Sequence, residues 1–256
     1  MNFLKRLFGR GTGGKEASFK AAGGELLYAV GDIHGRDDLL ADLLVRIEAD
    51  RHSRAAHERC TLVFLGDYVD RGFHSKQVLD RLLALSPNWA TVVRLKGNHE
   101  DMMLDFMLDP VANASWLQFG GIATLASYGV VLEEDETGAP NLQKASKNLF
   151  AALPDDHFQF LRDAPLIHQS GDYLFVHAGI RPGVPLHAQD PRDLTFIRDA
   201  FTESNKNFGF RVVHGHTGVQ NPLALPNRVA VDTIAYATGR LTAAVICEET
   251  LDFLST

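Results

Sequence analysis

Short apolar runs with the length of buried strands alternate, over the first hundred residues, with segments that have helical spacing. The runs at Leu26–Val30, Thr61–Leu65 and Thr91–Leu95 predict three strands. Between them, Asp37–Ala49 and Gln77–Leu85 place apolar residues at helical spacing and predict two helices. Strands and helices in this β-α-β-α-β order predict a mostly parallel sheet packed between helices.

The patterning changes from helical to strand-like in the second part of the chain. Residues 101–164 show mainly helical spacing, with a polar and therefore exposed break at Glu133–Asn141. We predict one domain over residues 25–256, with a helical insertion after the third strand. The further strand-like runs lie at 165–169, 172–177, 210–214, 228–232 and 241–248.

Residues 1–24 differ from the rest of the chain. The first twenty carry five basic residues and one acidic residue, and a Gly-rich stretch lies among them, so we predict a basic, flexible N-terminal tail. Gly9–Lys15 fits the G-x-x-x-x-G-K part of a phosphate-binding loop, but Glu16 stands where that loop needs a Ser or Thr. No convincing strand precedes it, so we interpret this segment as a linker.

Composition and charge narrow the class of protein. The chain has 256 residues, 45% hydrophobic and 22% charged, which excludes a disordered or fibrous protein. No apolar run approaches the roughly 20 residues of a membrane span, so we expect no stable membrane insertion. The two cysteines make no disulfide framework and suit a reducing compartment, which predicts a cytoplasmic protein. The formal charge of -7 argues against a DNA-binding protein and, taken alone, against an anionic substrate.

Chemically active side chains follow five of the predicted strands, at the point where each strand ends. The carboxyl ends of strands in α/β sheets form the ligand crevice, so these side chains should gather at one edge. Glycines flank most of them and permit tight turns and close backbone approach. The segments are Gly31-Asp32-Ile33-His34-Gly35, Gly66-Asp67-Tyr68-Val69-Asp70-Arg71-Gly72, Gly97-Asn98-His99-Glu100, His177-Ala178-Gly179 and His214-Gly215-His216-Thr217.

The Asp, Asn and His side chains of these segments form a mixed oxygen and nitrogen ligand set without a thiolate. Such a set suits Mn, Fe or Zn. A carboxylate between two groups of His and Asn ligands can bridge two divalent ions, and two-metal sites activate water for an in-line displacement. A single Asp-x-His motif is more often structural, but five motifs in register with five strand ends predict a metal-dependent active site.

Together these motifs resemble the phosphoprotein phosphatase family of metallophosphoesterases. The resemblance covers the chain from Glu25 to about Glu249. Phe196–Phe201 and Asp232–Thr242 are similar to the small bacterial serine/threonine phosphatase branch in particular. The resemblance implies an α/β fold of the calcineurin-like metallophosphoesterase type, which is a β-sandwich flanked by helices.

The resemblance also implies two bound divalent ions. Mn²⁺ is favoured, with Fe or Zn as alternatives, and a hydroxide held between the ions would make the in-line attack. Asp67 would bridge both ions. The other ligands would be Asp32 and His34 on the first ion, and Asn98, His177 and His216 on the second.

Catalytic and substrate-binding roles follow from the same resemblance. His99 would be the general acid that protonates the leaving oxygen, and Asp70 would orient and charge-stabilise it. Arg71 and Arg198 would grip the phosphoryl oxygens, because a guanidinium presents a planar fork of donors. Asn98 would also donate to the phosphate while its carbonyl oxygen binds metal.

Four further positions need separate interpretation. His214 lies two residues before His216, and we interpret it as a packing or supporting residue rather than a ligand. Phe73, Gly218 and Ile234 depart from the usual pattern of the branch. Ile234 stands near the expected edge of the site, where it could alter the shape of the pocket.

The resemblance favours a serine/threonine protein phosphatase that acts on phosphoproteins or phosphopeptides, and on small phosphate esters in vitro. The chief alternative is a symmetrical dinucleoside polyphosphate hydrolase, or a pyrophosphatase acting on RNA-cap-like ends. Trp116 and Tyr128 could stack on a base, but an aromatic on an apolar helix face is more often core. An inactive phosphopeptide-binding scaffold is disfavoured by the complete ligand set. The sequence leaves the oligomeric state open.

Overall fold

The computed structural model describes residues 19–54 and 59–256, and the strands in these ranges form two five-stranded sheets. Residues 1–18, with the linker at Gly9–Lys15, lie outside the described residues. The strands are β1 (Glu25–Val30), β2 (Arg59–Phe64), β3 (Thr91–Arg94), β4 (Ile167–Ser170), β5 (Tyr173–Val176), β6 (Arg211–His214), β7 (Leu223–Ala224), β8 (Arg228–Ala230), β9 (Thr242–Cys247) and β10 (Thr250–Ser255).

Helices connect these strands. Two 3₁₀ helices, Ala114–Phe119 and Leu186–Ala188, accompany the α-helices. The α-helices of the described ranges are α1 (Asp37–Ser53), α2 (Ser75–Ala84), α3 (Asn98–Leu108), α4 (Gly121–Ser127), α5 (Leu142–Ala152), α6 (Asp155–Asp163), α7 (Pro191–Phe196), α8 (Asp199–Thr202) and α9 (Ala235–Thr238).

The two sheets are mixed: the parallel strands lie on one side of the first sheet and at the centre of the second. In the first sheet, in the order β10-β9-β1-β2-β3, the pairs β1–β2 and β2–β3 are parallel, as predicted. The prediction of a mostly parallel sheet holds only for these three strands, because β9 and β10 join antiparallel. The second sheet, in the order β4-β5-β6-β8-β7, has β5, β6 and β8 parallel and antiparallel edges.

The hydrophobic core lies in three layers, which confirms the predicted β-sandwich flanked by helices. Leu27 of β1 packs between the sheets in one cluster with Phe175 of β5. Its neighbour Tyr28 points the other way and packs against the helices on the outer face of the first sheet. A third cluster, which includes Leu174 and Phe201, covers the outer face of the second sheet. Strand β1 is buried on both faces, which explains its continuous apolar run.

The helical insertion after the third strand is confirmed. Helices α3 to α6 fill the chain between β3 and β4, and α3 packs against both α5 and α6. The polar break at Glu133–Asn141 is largely exposed and turns through a bridge between Glu134 and Pro140.

Several elements lie outside the predicted helices and strands, among them β10 and α7. The strand-like run at 241–248 covers β9, but the chain then turns at Glu248, in a left-handed conformation with φ 53°, and returns as β10. Its alternation was too weak to detect, because β10 is an edge strand with partly exposed residues. Helix α7 begins after Asp190, whose side chain accepts from Arg192 N, and this Asp-Pro start was present in the sequence.

Candidate metal centre and its cleft

The five segments that follow predicted strands converge at the carboxyl ends of β1, β2, β3, β5 and β6. Within the described residues, two groups of side chains place one potential ligand atom each within 4.8 Å of the others. Asp67 belongs to both groups, as expected of a bridging carboxylate. The groups are His34, Asp67 and His99, and Asp67, His177 and His216.

Backbone conformation aims several of these side chains inward. Five of the predicted site residues have a left-handed φ, which is rare for residues with a Cβ and is concentrated at functional sites. Such turns re-aim the side chain where an ordinary strand end would carry it away from the cleft. The φ angles are 47° for His34, 53° for Asp67, 74° for Asp70, 67° for Arg71 and 60° for His216.

Hydrogen bonds fix the orientation of two imidazoles. His34 Nδ1 lies 2.9 Å from the carbonyl oxygen of Val69, and His177 Nδ1 lies 2.9 Å from that of Leu65. A carbonyl can only accept, so Nδ1 carries the proton in both rings and Nε2 presents a lone pair. These Nε2 atoms lie 3.5 Å and 3.3 Å from the Asp67 carboxylate oxygens.

The ring nitrogens face acceptors, which is the arrangement expected around a cation. His177 Nε2 lies 2.9 Å from Asn98 Oδ1, although neither atom carries a proton in the neutral ring. His216 Nε2 is buried without a hydrogen-bond partner among the described residues, while the carbonyl of Phe196 bonds the same ring. Buried lone pairs that face another lone pair, or no partner, are satisfied by a divalent ion, so this donor set fits a metal centre.

Electrostatics also favour a cation at this position. Burial is the main cause that lowers the pKa values of His34 and His177 well below the usual range. Burial, followed by the charge of Arg198, lowers the pKa of His216 to about 3. All three rings are therefore neutral at physiological pH, which is the form that binds metal. Burial raises the pKa of Asp67 to about 6, against the opposing charge of His99.

Asp32 lies at the edge of this centre rather than inside either group. Its carboxylate accepts from the backbone N–H of His216 at 3.0 Å and 3.1 Å, and a Cβ on Gly215 would overlap it. Burial raises its pKa well above the usual range, and the neighbouring carboxyl of Asp232 adds to the effect. Asp232 is itself buried, and although it begins the Asp232–Thr242 stretch of the resemblance, no role in the site was predicted for it.

His99 and Asp70 form the predicted pair. His99 Nδ1 lies 2.6 Å from Asp70 Oδ2, and its Nε2 lies 3.3 Å from Arg71 Nη2. Burial alone would lower the pKa of His99, but the charge of Asp67 and the hydrogen bond with Asp70 outweigh it and raise the pKa. The raised pKa favours a protonated ring, whose Nε2–H would face the cleft once Nε2 no longer accepts from Arg71.

A cleft of about 460 Å³ opens beside these residues. Arg71, Arg198, Asn98, His99 and His216 line it, so the predicted phosphate-binding residues do share one space. The Arg71 guanidinium also lies 4.5 Å from the centre of the Tyr236 ring, a contact that fixes its direction. A third arginine, Arg192, and the aromatics Phe119 and Phe196 also line the cleft, and no role in the site was predicted for them.

The Glu100 side chain holds the backbone around Asp67 in place through hydrogen bonds. Its fully buried carboxylate accepts from the backbone N–H groups of Gly97, Asp67 and Tyr68, each at 2.8 Å, and from Val69 at 3.3 Å. These bonds tie the start of α3 to the loop that carries Asp67. Burial is the main cause that raises the pKa of Glu100 to about 8.

The structure also shows where His214, Ile234, Trp116 and Tyr128 lie. His214 is buried and accepts from Arg228 Nη1 at 3.2 Å through Nε2, as expected of a packing or supporting residue. Trp116 and Tyr128 are both buried, as expected of core aromatics. Ile234 adopts a left-handed φ of 58°, and its side chain fills the space in front of Gly218, so these two departures from the pattern complement each other.

Comparison with known proteins identifies the family. The model of the calcineurin-like phosphoesterase family matches residues 26–247, and the chain belongs to this family. The matched range contains all five segments that form the candidate metal centre. Within the described residues, no helix has both the length and the apolar character needed to cross a membrane.

Three similar proteins are named for one substrate class. A symmetrical bis(5'-nucleosyl)-tetraphosphatase of Acidovorax ebreus is 33% identical over 161 residues, which are 61% of this chain and 44% of that protein. The asymmetrical bis(5'-nucleosyl)-tetraphosphatase PrpE of Halalkalibacterium halodurans is 27% identical over 84% of this chain and 87% of its own. A crystal structure titled as a putative diadenosine tetraphosphatase has a TM-score of 0.61 at 21% identity, over 90% of this chain and 93% of its own. The chain thus matches less than half the length of the first relative.

Proposed function

We propose that this protein hydrolyses the phosphoanhydride chain of bis(5'-nucleosyl) tetraphosphates. This is the alternative drawn from the sequence, and it is supported better than a serine/threonine protein phosphatase. The observation that carries it is that three arginines, Arg71, Arg198 and Arg192, line one cleft. A single phosphoryl group needs one or two such donors, whereas a tetraphosphate chain presents oxygens along its whole length.

The walls of the cleft suit the two nucleosides of such a substrate. Phe119 is 53% exposed and Phe196 half-buried, and both line the cleft. Exposed aromatic rings beside a phosphate site offer stacking surfaces to bases. The Arg192 guanidinium lies 4.6 Å from the centre of the Phe196 ring, so charge and ring are presented together.

We propose for the centre the metal-binding roles that the family resemblance implies. Asp67 would be shared between two divalent ions, with His34 and Asp32 on one side and Asn98, His177 and His216 on the other. Ions bound there would lower the pKa of a water molecule and neutralise charge on the phosphate. Mn²⁺ is the ion we propose first for this oxygen and nitrogen donor set.

The chain's own groups would manage the substrate and the proton. Arg71 and Arg198 would hold the reacting phosphoryl group, with Asn98 as a further donor. His99 would give the proton on its Nε2 to the leaving phosphate oxygen while Asp70 keeps Nδ1 protonated. The excess of acidic residues over basic ones does not oppose this substrate, because arginines and metal would supply the local positive charge.

Substrate comparison tests the proposal. The full chain with Mn²⁺ is given diadenosine tetraphosphate, a phosphoserine peptide and para-nitrophenyl phosphate, and kcat/KM is measured for each. We expect the tetraphosphate to be preferred by a wide margin. A preference for the peptide would overturn the proposal in favour of a protein phosphatase, and no turnover with any divalent ion would favour the inactive scaffold. The products distinguish symmetrical cleavage, two ADP, from asymmetrical cleavage, ATP and AMP.

A substitution links the preference to the cleft. Arg192→Gln should lower kcat/KM for the tetraphosphate about tenfold or more, as loss of a charged hydrogen bond does, and change para-nitrophenyl phosphate hydrolysis little. The matched control is Arg162→Gln, which removes an exposed arginine that pairs with Asp163 outside the cleft. Equal losses on both substrates would exclude a role for Arg192 along the polyphosphate chain.

A further inference from the structure

The helical insertion reaches the proton-donating pair of the cleft through Asp70. Trp116, in the 3₁₀ helix, directs its indole Nε1–H to Asp70 Oδ2 at 2.8 Å. Thr124, in α4, directs its hydroxyl to Asp70 Oδ1 at 2.7 Å. His99 Nδ1 reaches Oδ2 from the other side at 2.6 Å. Asp70 is fully buried, so these bonds are shielded from water.

The direction of each hydrogen bond is determined by the surrounding groups. The Asp70 backbone N–H donates to Thr124 Oγ1 at 2.8 Å and to Ser75 Oγ at 3.1 Å. Thr124 therefore already accepts, and its single proton is free for Asp70 Oδ1. The Ser75 hydroxyl lies 3.0 Å from Thr124 Oγ1 and can donate a second hydrogen bond to that hydroxyl oxygen. Each group that meets the Asp70 carboxylate within the described residues is thus a donor.

We propose that Trp116 and Thr124 are positioning residues for the His99 proton donor, and that they act by holding the Asp70 carboxylate against its Nδ1. This inference rests on the function proposed above for His99. Asp70 has a left-handed φ of 74°, a conformation that needs support from its surroundings. Both oxygens are held by donors from another part of the fold, so the carboxylate cannot rotate away from His99 without leaving a buried donor unsatisfied.

The arrangement explains why a buried tryptophan lies beside a polar cleft. Trp116 packs its ring 4.8 Å from that of Phe106, in the core under the cleft. A buried indole needs a partner for its N–H, and here the partner is the group that orients the proton donor. The insertion therefore does more than cover the sheet, since its packing sets the direction of the His99 ring.

Single substitutions separate the hydrogen bonds from the packing. Trp116→Phe keeps an aromatic ring in the core and removes the N–H, and should lower kcat about tenfold with little change in KM. Trp89→Phe is the matched control, because it makes the same change at a half-buried tryptophan that contacts Arg51. Thr124→Val should have an effect similar to that of Trp116→Phe, and Thr124→Ser, which restores a hydroxyl, should recover most of the lost kcat.

A double-mutant cycle tests whether the effect passes through Asp70. In an Asp70→Asn background, Trp116→Phe should lower kcat by less than about twofold, because the partner it orients is already lost. An equal tenfold loss in both backgrounds would show that Trp116 acts through general packing and would overturn the proposal. Failure of the proposed function would look different, since the preferred substrate would change while the coupling between Trp116 and Asp70 persisted.

A spectroscopic measurement does not depend on turnover. The Nδ1 proton of His99, shared with Asp70 in a short buried bond, should give a slowly exchanging downfield proton resonance that disappears in His99→Asn. We expect Trp116→Phe and Thr124→Val to shift this resonance and speed its exchange with solvent, and Trp89→Phe to leave it in place. An unchanged resonance in both site variants would contradict the positioning role.

Discussion

The role of a side chain in the site depends on which atoms lie opposite its lone pairs and protons. His177 Nε2 meets Asn98 Oδ1 at 2.9 Å, and His216 Nε2 meets no partner among the described residues. The sequence shows that a side chain can bind a metal. Only the structure shows whether its lone pair faces the place where a cation would lie.

Removing the proton donor should affect turnover more than metal binding. His99→Asn is expected to lower kcat by about 10²–10⁴-fold, the usual contribution of general acid catalysis. Metal content, measured by elemental analysis of the purified variant, should stay close to that of the wild type. Comparable loss of metal would place His99 among the ligands, which its position in one of the two ligand groups would then explain.

Removing the charge of the Asp67 carboxylate should affect metal binding first, and turnover as a consequence. Asp67→Asn keeps the size of the side chain but loses a negative charge that both ligand groups have in common. We expect it to lose bound Mn²⁺, and activity with it, in an equilibrium dialysis experiment. Full metal occupancy in this variant would contradict the bridging role.

His157 gives the fold a dependence on pH away from the cleft. Its Nδ1 accepts from the Tyr128 hydroxyl at 2.8 Å, and its Nε2 donates to Asp80 at 3.1 Å. Burial lowers its pKa, although the charge of Asp80 opposes the shift. The unfolded chain therefore takes up the proton first, and the free energy of unfolding should decline as the pH falls below about 6.5.

Chemical denaturation checks this sign. Between about pH 8 and about pH 5.5, His157→Gln should lose less unfolding free energy than the wild type, because the titrating ring is gone. His52→Gln, at an exposed position, is the control. A wild type and a His157→Gln variant with parallel pH profiles would exclude this contribution.

Helices and strands bring these residues together through a few connections. Glu100, in the first turn of α3, holds four backbone N–H groups of the two loops around Asp67. The sequence motif contains Glu100 but does not reveal this task, because three of its four partners, Asp67, Tyr68 and Val69, lie 31 to 33 residues earlier in the chain. The left-handed turns at the strand ends could not be predicted from the sequence either, because non-glycine residues adopt them only when the surrounding structure requires it.

Glu100→Gln tests this connection between elements. The amide places a donor against backbone N–H groups, so the free energy of unfolding should fall by about 1–3 kcal/mol, the cost of an unsatisfied buried group. Urea denaturation measures the loss. Asp101→Asn, one residue later on the same helix and 3.5 Å from Lys96 in a partly exposed pair, should cost less. Equal stability of both variants would contradict the role of Glu100.

In the whole molecule, two sheets and their helices bring the candidate metal centre together at one edge. Residues 19–24 take part in this assembly ahead of the predicted domain start at Glu25. The backbone oxygen of Lys20 accepts from Asp172 N at 2.8 Å, and Ala21 N donates to Glu248 at 3.2 Å. Phe19 packs on the cluster between the sheets, with its ring 6.4 Å from that of Tyr173.

Two truncations measure what this short segment contributes. A chain without residues 1–24 should melt about 4–8 °C below a chain without residues 1–18, if the contacts of residues 19–24 are worth about 2 kcal/mol. Differential scanning calorimetry of the pair gives the difference directly. Equal melting temperatures would show that the domain proposed over residues 25–256 needs no earlier residues.

The apolar pattern of the chain predicted the strands that carry the site, the residue types that follow them and the class of chemistry. This was possible because each predicted ligand follows a local apolar run, and local patterns are visible in a linear chain. Only the tertiary structure brought Arg192 to the cleft wall, Trp116 to Asp70 and Asp232 to Asp32. These contacts join residues far apart in the chain, and packing of whole elements, rather than any local preference, decides which side chains meet.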